Sequence, residues 1–112
     1  MRLVVIESPY AGNVERNVAY ARAAVMDCLR RGEAPYASHL FFTQPGLLDD
    51  LSLKDRALGI AAGLAWGAKA DATVAYTDLG WSAGMRLGVQ CAAYQGRPIE
   101  IRTLPNWAAT VR

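Results

Sequence analysis

A short uninterrupted apolar run, Leu3-Val4-Val5-Ile6, is followed by a Pro/Gly breaker and then by a capped helix, and the same succession recurs down the chain. Such a run is the pattern of a strand covered on both faces. Ser8-Pro9-Tyr10-Ala11-Gly12 ends it. Asn13 is a good N-cap, Glu15 favours the first turn, and Val14, Val18, Ala21, Val25 and Cys28 recur at helical spacing. Arg30, Arg31 and Gly32 supply a basic last turn and a C′ glycine. Ala34 to Phe42 reads as a second strand, stopped by Thr43-Gln44-Pro45-Gly46. Ser52-Leu53-Lys54-Asp55 is capping-box-like and opens a second helix that runs to about Lys69. Asp71 to Thr77 is a third strand. Ser82 caps a third helix, closed by Gly96, and Pro98 to Leu104 is a fourth strand.

This alternation predicts an α/β, Rossmann-like fold: a mainly parallel sheet of four to five strands with helices on both faces. The 112 residues suffice for a single domain, placed at 1–104, with 105–112 as a tail anchored by Trp107. Hydrophobic residues at 53% and charged residues at 20% argue against disorder. Charges interrupt every apolar run short of the ~18 residues of a membrane span. Glu7 also cuts the first run too short for a secretory leader, so a cytoplasmic protein without a membrane partner is expected. A net charge of +2 is too weak for a nucleic-acid groove, so no duplex partner is expected. Cys28 and Cys91 fall inside predicted helices, and the chain has one His. No metal and no cofactor are therefore expected. Gly59, Gly63 and Gly67 lie four apart on the second helix at about 1 kcal/mol each relative to Ala. Such a row implies close packing, within the subunit or across a subunit contact.

Ligands of parallel sheets bind beyond the carboxyl ends of the strands, which selects residues 7–13, 38–44 and 77–84. In the first segment, free backbone N–H groups at a helix start favour an anion. Gly12 permits close backbone approach, and Tyr10 can stack on a base or sugar or simply fill a tight turn. The segment is not GxGxxG, and no Walker lysine follows. In the third segment Asp78 could bind a hydroxyl pair, with Ser82 and Gly84 at a helix start, or serve as a turn former beside a plain cap. His39 is either a catalyst or a satisfied structural group.

Ser-Pro-Tyr-Ala-Gly after the first strand, Asn17 in the next helix, Ser38-His39-Leu40, the Gly-Leu-Ala-Trp helix, Ala70-Asp71 before a strand and Ser-Ala-Gly-Met before the last helix carry a resemblance. In order and spacing they resemble the nucleoside 2-deoxyribosyltransferase-like family, and within it a branch of small bacterial and phage proteins, over about residues 2–103. The resemblance implies that family's fold and a nucleoside or nucleotide ligand. It implies cleavage or transfer at the N-glycosidic bond by a nucleophilic carboxylate. It also implies a homodimer or higher homo-oligomer with sites completed across subunits, for which Asn106 and Trp107 are the tail candidates. Ser8, Pro9, Tyr10, Gly12, Asn13, Asn17, His39, Ser82, Gly84 and Met85 are the candidate ligand-binding residues.

The nucleophile implied by the resemblance lies about six residues after Ser82. That position is Gly88, and residues 85–90 contain no acid. Asp71 stands at the opposite end of its strand and reads as structural. Glu7 and Asp78 remain as catalytic candidates. Glu7 would be a relocated nucleophile or general base, unless it is exposed or paired with Arg2, Arg86 or Arg102. Three functions compete: an N-glycosidase or deoxyribosyltransferase-like enzyme, a catalytically silent nucleotide-binding module, and a structural or assembly protein using the glycine-rich helix and Trp66.

Overall fold

The computed structural model describes residues 1–107. Strands β1 (Arg2–Glu7), β2 (Glu33–Tyr36), β3 (Ala72–Tyr76) and β4 (Ile99–Arg102) form one parallel sheet in the order β2-β1-β3-β4. The connecting helices are α1 (Val14–Arg30), α2 (Ser38–Phe41), α3 (Leu53–Gly67) and α4 (Ala83–Tyr94). Strand side chains alternate between faces. Val4, Ile6, Val74 and Tyr76 pack with Tyr20, Ala24 and Cys28 of α1. Val5 and Glu7 point to the other face, toward α3 and α4. At the amino ends of the strands, Asp71 N–H donates to Leu3 O at 2.8 Å and its carboxylate accepts from Leu3 N–H at 2.7 Å. Asp71 therefore sets the β1–β3 register.

The caps form where the residue types demand them. Asn13 accepts from Arg16 N–H at 3.2 Å, Ser52 from Asp55 N–H at 3.3 Å and Ser82 from Met85 N–H at 3.2 Å. The Asp55 carboxylate does not return to Ser52. It accepts from Asp49 N–H at 2.9 Å and holds the preceding loop instead. Gly32 and Gly96 close α1 and α4 with φ of +78° and +70°.

The second strand is shorter than its expected span of 34–42. It ends at Tyr36, and Ser38–Phe41 turn into α2. β2 is an edge strand, which explains how it tolerates Pro35. The apolar residues after it pack downward as a helical turn, a distinction that a short apolar run cannot reveal. α2 seats on the glycine row of α3: a Cβ at Gly63 would collide with Ser38, and one at Gly59 would crowd Leu48. That close approach is thus internal to the subunit. Trp107 is buried edge-to-face on Tyr20, with centroids 4.9 Å apart, a packing role within its own chain. The rest of the expected tail, 108–112, lies outside the described residues.

Candidate functional site

β1 leads to β2 on one side and β3 to β4 on the other, so the strand order reverses between β1 and β3. At the carboxyl ends of these two strands lies a cleft of about 160 Å³, walled by α2, α3 and the start of α4. Tyr10 from the β1–α1 loop and Ser82 with Gly84 from the β3–α4 loop line the same cleft, so the two chain reversals meet on one rim. The volume is below the ~300–1,000 Å³ usual for a drug-sized ligand.

Glu7, the last residue of β1, lines the floor. Its carboxylate rests on the α4 backbone at Gly88, and a Cβ at Gly88 would overlap it. No hydrogen bond reaches this carboxylate from the described residues. Burial pushes its pKa up to about 8, and the positive charge of Arg97 pulls the other way. Beside it, Ser8 Oγ and His39 Nε2 lie 2.6 Å apart. Burial pushes the His39 imidazole down to about 4, so it is neutral at pH 7.

Of the residues expected at the site, Glu7, Ser8, Tyr10, His39, Ser82 and Gly84 line the cleft. Others shape it from behind. Asn17 donates to Tyr10 O at 2.8 Å and Ala11 O at 3.1 Å, clamping the first loop. Pro9 is buried, and Gly12 adopts φ +98° where the loop turns into α1, which Asn13 caps. Met85 is buried, its sulfur accepting from Ser82 N–H. Asp78 is not in the cleft. Its carboxylate accepts from Tyr20 O–H at 2.6 Å and from Leu104 N–H at 2.9 Å, which turns it to the α1 side of the sheet. This contact and burial both raise the Tyr20 pKa, burial more.

None of Arg2, Arg86 and Arg102 is the arginine that acts on Glu7. Arg2 and Arg102 bind Glu33 and Glu100. Arg97 plays that part, and it precedes β4 at the amino ends of the strands, where the carboxyl-end rule does not look. Asp50, Asp55 and Arg56 also line the cleft from the loop before α3 and its first turn. The glycine row signals close packing on α3, but nothing in it points to the cleft. No spacing signal marked Arg97. No group of three His, Cys, Asp or Glu among the described residues is placed to hold a metal ion. No helix among them is long and apolar enough to cross a membrane.

The sequence model of a family described as a domain of unknown function, DUF7768, matches residues 2–102. None of the curated proteins compared with the chain matches it. Among solved structures, the chain is similar to a 2-deoxyribosyltransferase from the psychrotolerant bacterium Bacillus psychrosaccharolyticus, described as a biocatalyst for the synthesis of antiviral and antitumoral nucleosides. The TM-score is 0.63 at 16% identity, over 90% of this chain and 72% of that one. At that identity the likeness establishes a deoxyribosyltransferase-like fold and no more.

Proposed function

The chain belongs to the DUF7768 family, and from that premise we propose that it binds a nucleoside or nucleotide and cleaves or transfers at its N-glycosidic bond, with Glu7 as the reacting carboxylate. One observation carries the reading: the Glu7 carboxylate occupies the space over Gly88, the position where the resemblance to deoxyribosyltransferases leads one to expect a nucleophile. The carboxylate is delivered from β1 instead of α4. Ionised Glu7 attacks C1′ of the sugar. The C–N bond breaks, its electron pair leaves with the base, and the base takes up a proton from water. Water or a second base then displaces Glu7 from the glycosyl ester. Tyr10, Ser8 with His39, and the Ser82–Gly84 turn hold the ligand around it.

Asp78 favours a second reading. With its carboxylate committed to Tyr20 and Leu104, the cleft lacks one of its two expected carboxylates. A silent binding module would keep the pocket and lose turnover. Chromatography of a panel of deoxynucleosides and their monophosphates decides between the two. Base release that vanishes in Glu7→Gln supports the enzyme. A ligand-dependent rise in Tm without release selects the binding module. Neither effect overturns both and leaves an assembly role.

The same reading includes a cytoplasmic homodimer or higher homo-oligomer. The exposed apolar side chains of Leu53, Leu58 and Trp66 on α3 support it. A single monomeric mass by light scattering at micromolar concentration would remove that part.

A further inference from the structure

A hydroxyl and an imidazole from different elements meet in the cleft. Ser8 follows the last residue of β1 and His39 sits in α2; both line the cleft, with Ser8 Oγ 2.6 Å from His39 Nε2. Ser8 is 5% exposed, and its hydroxyl has no other partner among the described residues. A buried hydroxyl donates where it finds an acceptor, so the Ser8 proton points at Nε2 and the ring proton sits on Nδ1. The imidazole is neutral at pH 7, which leaves the Nε2 lone pair free to take the serine proton. Both partners are held. Pro9 is buried and restricts Ser8 to extended backbone. The His39 carbonyl accepts from Thr43 Oγ1 at 2.8 Å, and α2 seats on Gly63 through Ser38. A hydroxyl fixed at this distance from a neutral imidazole is the arrangement of an activated serine.

The loop that follows Ser8 supplies the second part such chemistry needs. Asn17 Nδ2 holds the carbonyls of Tyr10 and Ala11. The peptide bonds are trans, so in each planar unit the N–H points opposite the carbonyl. The N–H groups of Ala11 and Gly12 are thereby turned away from Asn17. Neither has an acceptor among the described residues, and Tyr10 and Ala11 line the cleft with Ser8. Two consecutive free N–H groups just after the serine are a seat for an oxyanion. The cavity of about 160 Å³ is also lined by Phe42, Leu48 and Leu64. Its size admits a short acyl chain, and these side chains suit one.

We propose that Ser8 is a nucleophile with His39 as its base, and that the cleft hydrolyses esters of short carboxylic acids. Ser8 Oγ bonds to the carbonyl carbon while its proton passes to Nε2, and the carbonyl electron pair moves onto the oxygen, which Ala11 and Gly12 N–H receive. The C–O bond to the alcohol then breaks, and the alcohol leaves with the proton from Nε2. Water attacks the acyl-serine, gives its proton to Nε2, and releases the acid as Ser8 regains its hydroxyl. The whole chain is treated with methanesulfonyl fluoride, a probe small enough for the cleft, and with p-nitrophenyl acetate. One methanesulfonyl group per chain replaces the Ser8 proton as fluoride leaves, peptide mass mapping places it on Ser8, and p-nitrophenolate is released. In His39→Gln both rates fall about a hundredfold or more, and in Ser8→Ala the label is lost. If neither variant folds, the position of the label in the wild type decides. A label that is absent, that sits on another residue, or that forms as fast in folded His39→Gln overturns the proposal. Base release from nucleosides is a separate measurement: its absence removes the reading of Glu7 and leaves the serine to stand or fail by itself.

Discussion

The two faces of the sheet treat buried charge in opposite ways. On the α1 face, Glu33 and Arg102 form a two-pronged ion pair at 2.7 and 2.8 Å, both residues less than a tenth exposed. Arg102 also donates to Tyr76 Oη at 3.3 Å, and Tyr76 donates to Asp27 at 2.6 Å. Each charge there is met by its partner. Hydrogen bonding to Arg102 holds the Glu33 carboxyl below its ordinary pKa, and burial and the bond to Asp27 raise the Tyr76 hydroxyl against the opposing pull of Arg102. On the α3/α4 face, Glu7 is buried against a bare glycine with no hydrogen bond among the described residues. A closed network fixes a fold. An unpartnered carboxylate at the strand-order reversal costs stability and leaves acceptor capacity for something that arrives later.

Breaking the closed side gives the largest loss. Arg102→Met leaves Glu33 buried with only the longer, 3.5 Å contact to the half-exposed Arg2, and urea unfolding should show a loss of about 2–4 kcal/mol. A loss below ~1 kcal/mol would mean that the network is solvated and that the contrast between the faces is one of geometry alone.

The open side should respond in the other direction. The folded pKa of Glu7, about 8, lies above its unfolded value. Above pH 4.5 the unfolded chain gives up a proton that the native chain keeps, so Glu7 makes stability fall as pH rises from 4.5 to 8 and has no further effect beyond. Glu7→Gln removes that slope and stabilises the protein by roughly 2–4 kcal/mol at pH 8, while base release disappears. On the proposed reading, base release by the wild type climbs with pH toward 8, since a reacting Glu7 must be ionised. Thermal unfolding of both proteins from pH 5 to 9 checks the slope, and parallel curves would break the comparison.

Gly88 sharpens it further. Alanine improves helix propensity by about 1 kcal/mol, yet its Cβ meets the Glu7 carboxylate. Gly88→Ala alone should cost about 1–3 kcal/mol. In a Glu7→Ala background it should become neutral or stabilising. The coupling energy of that double-mutant cycle measures how fully the two residues share one space.

What could be read in advance follows the range of the interaction. Asn13, Ser52, Ser82, Gly32 and Gly96 act within four residues of themselves, and the helices begin and end where those residues require. The parallel character of the sheet follows from the alternation of strands and helices, while its order, β2-β1-β3-β4, has no local signal. The run after Tyr36 was ambiguous because its apolar residues satisfy a strand or a helical turn equally, and contact with Gly63 decides between them. The direction of Asp78 is open in the sequence for a similar reason. As a loop acid it is free to point either way, and Tyr20, 58 positions earlier, claims it. Gly88 was legible only as an absence, a missing acid, because its relation to Glu7 exists only once α4 lies across β1. Arg97 reaches the cleft from the wrong end of its strand through the length of its side chain, which no local pattern records.

The smallest test concerns the polar wall beside Glu7. Ser8 and His39 share one short hydrogen bond, and Ser8→Ala should cost about 1 kcal/mol at pH 7. The acid side discriminates between two accounts of that pair. Because burial holds the His39 pKa near 4, below its ordinary 6.5, the unfolded chain binds a proton between those values that the native chain refuses. Stability from this group is therefore whole above pH 6.5 and declines as pH falls toward 4. Between pH 4.5 and 6.5 the opposing slope of Glu7 masks this decline, so it is read in a Glu7→Gln background, where adding His39→Gln should flatten it. If instead the decline survives His39→Gln unchanged, the imidazole is open to water, and the cleft is wetter on its α2 side than on its α4 side.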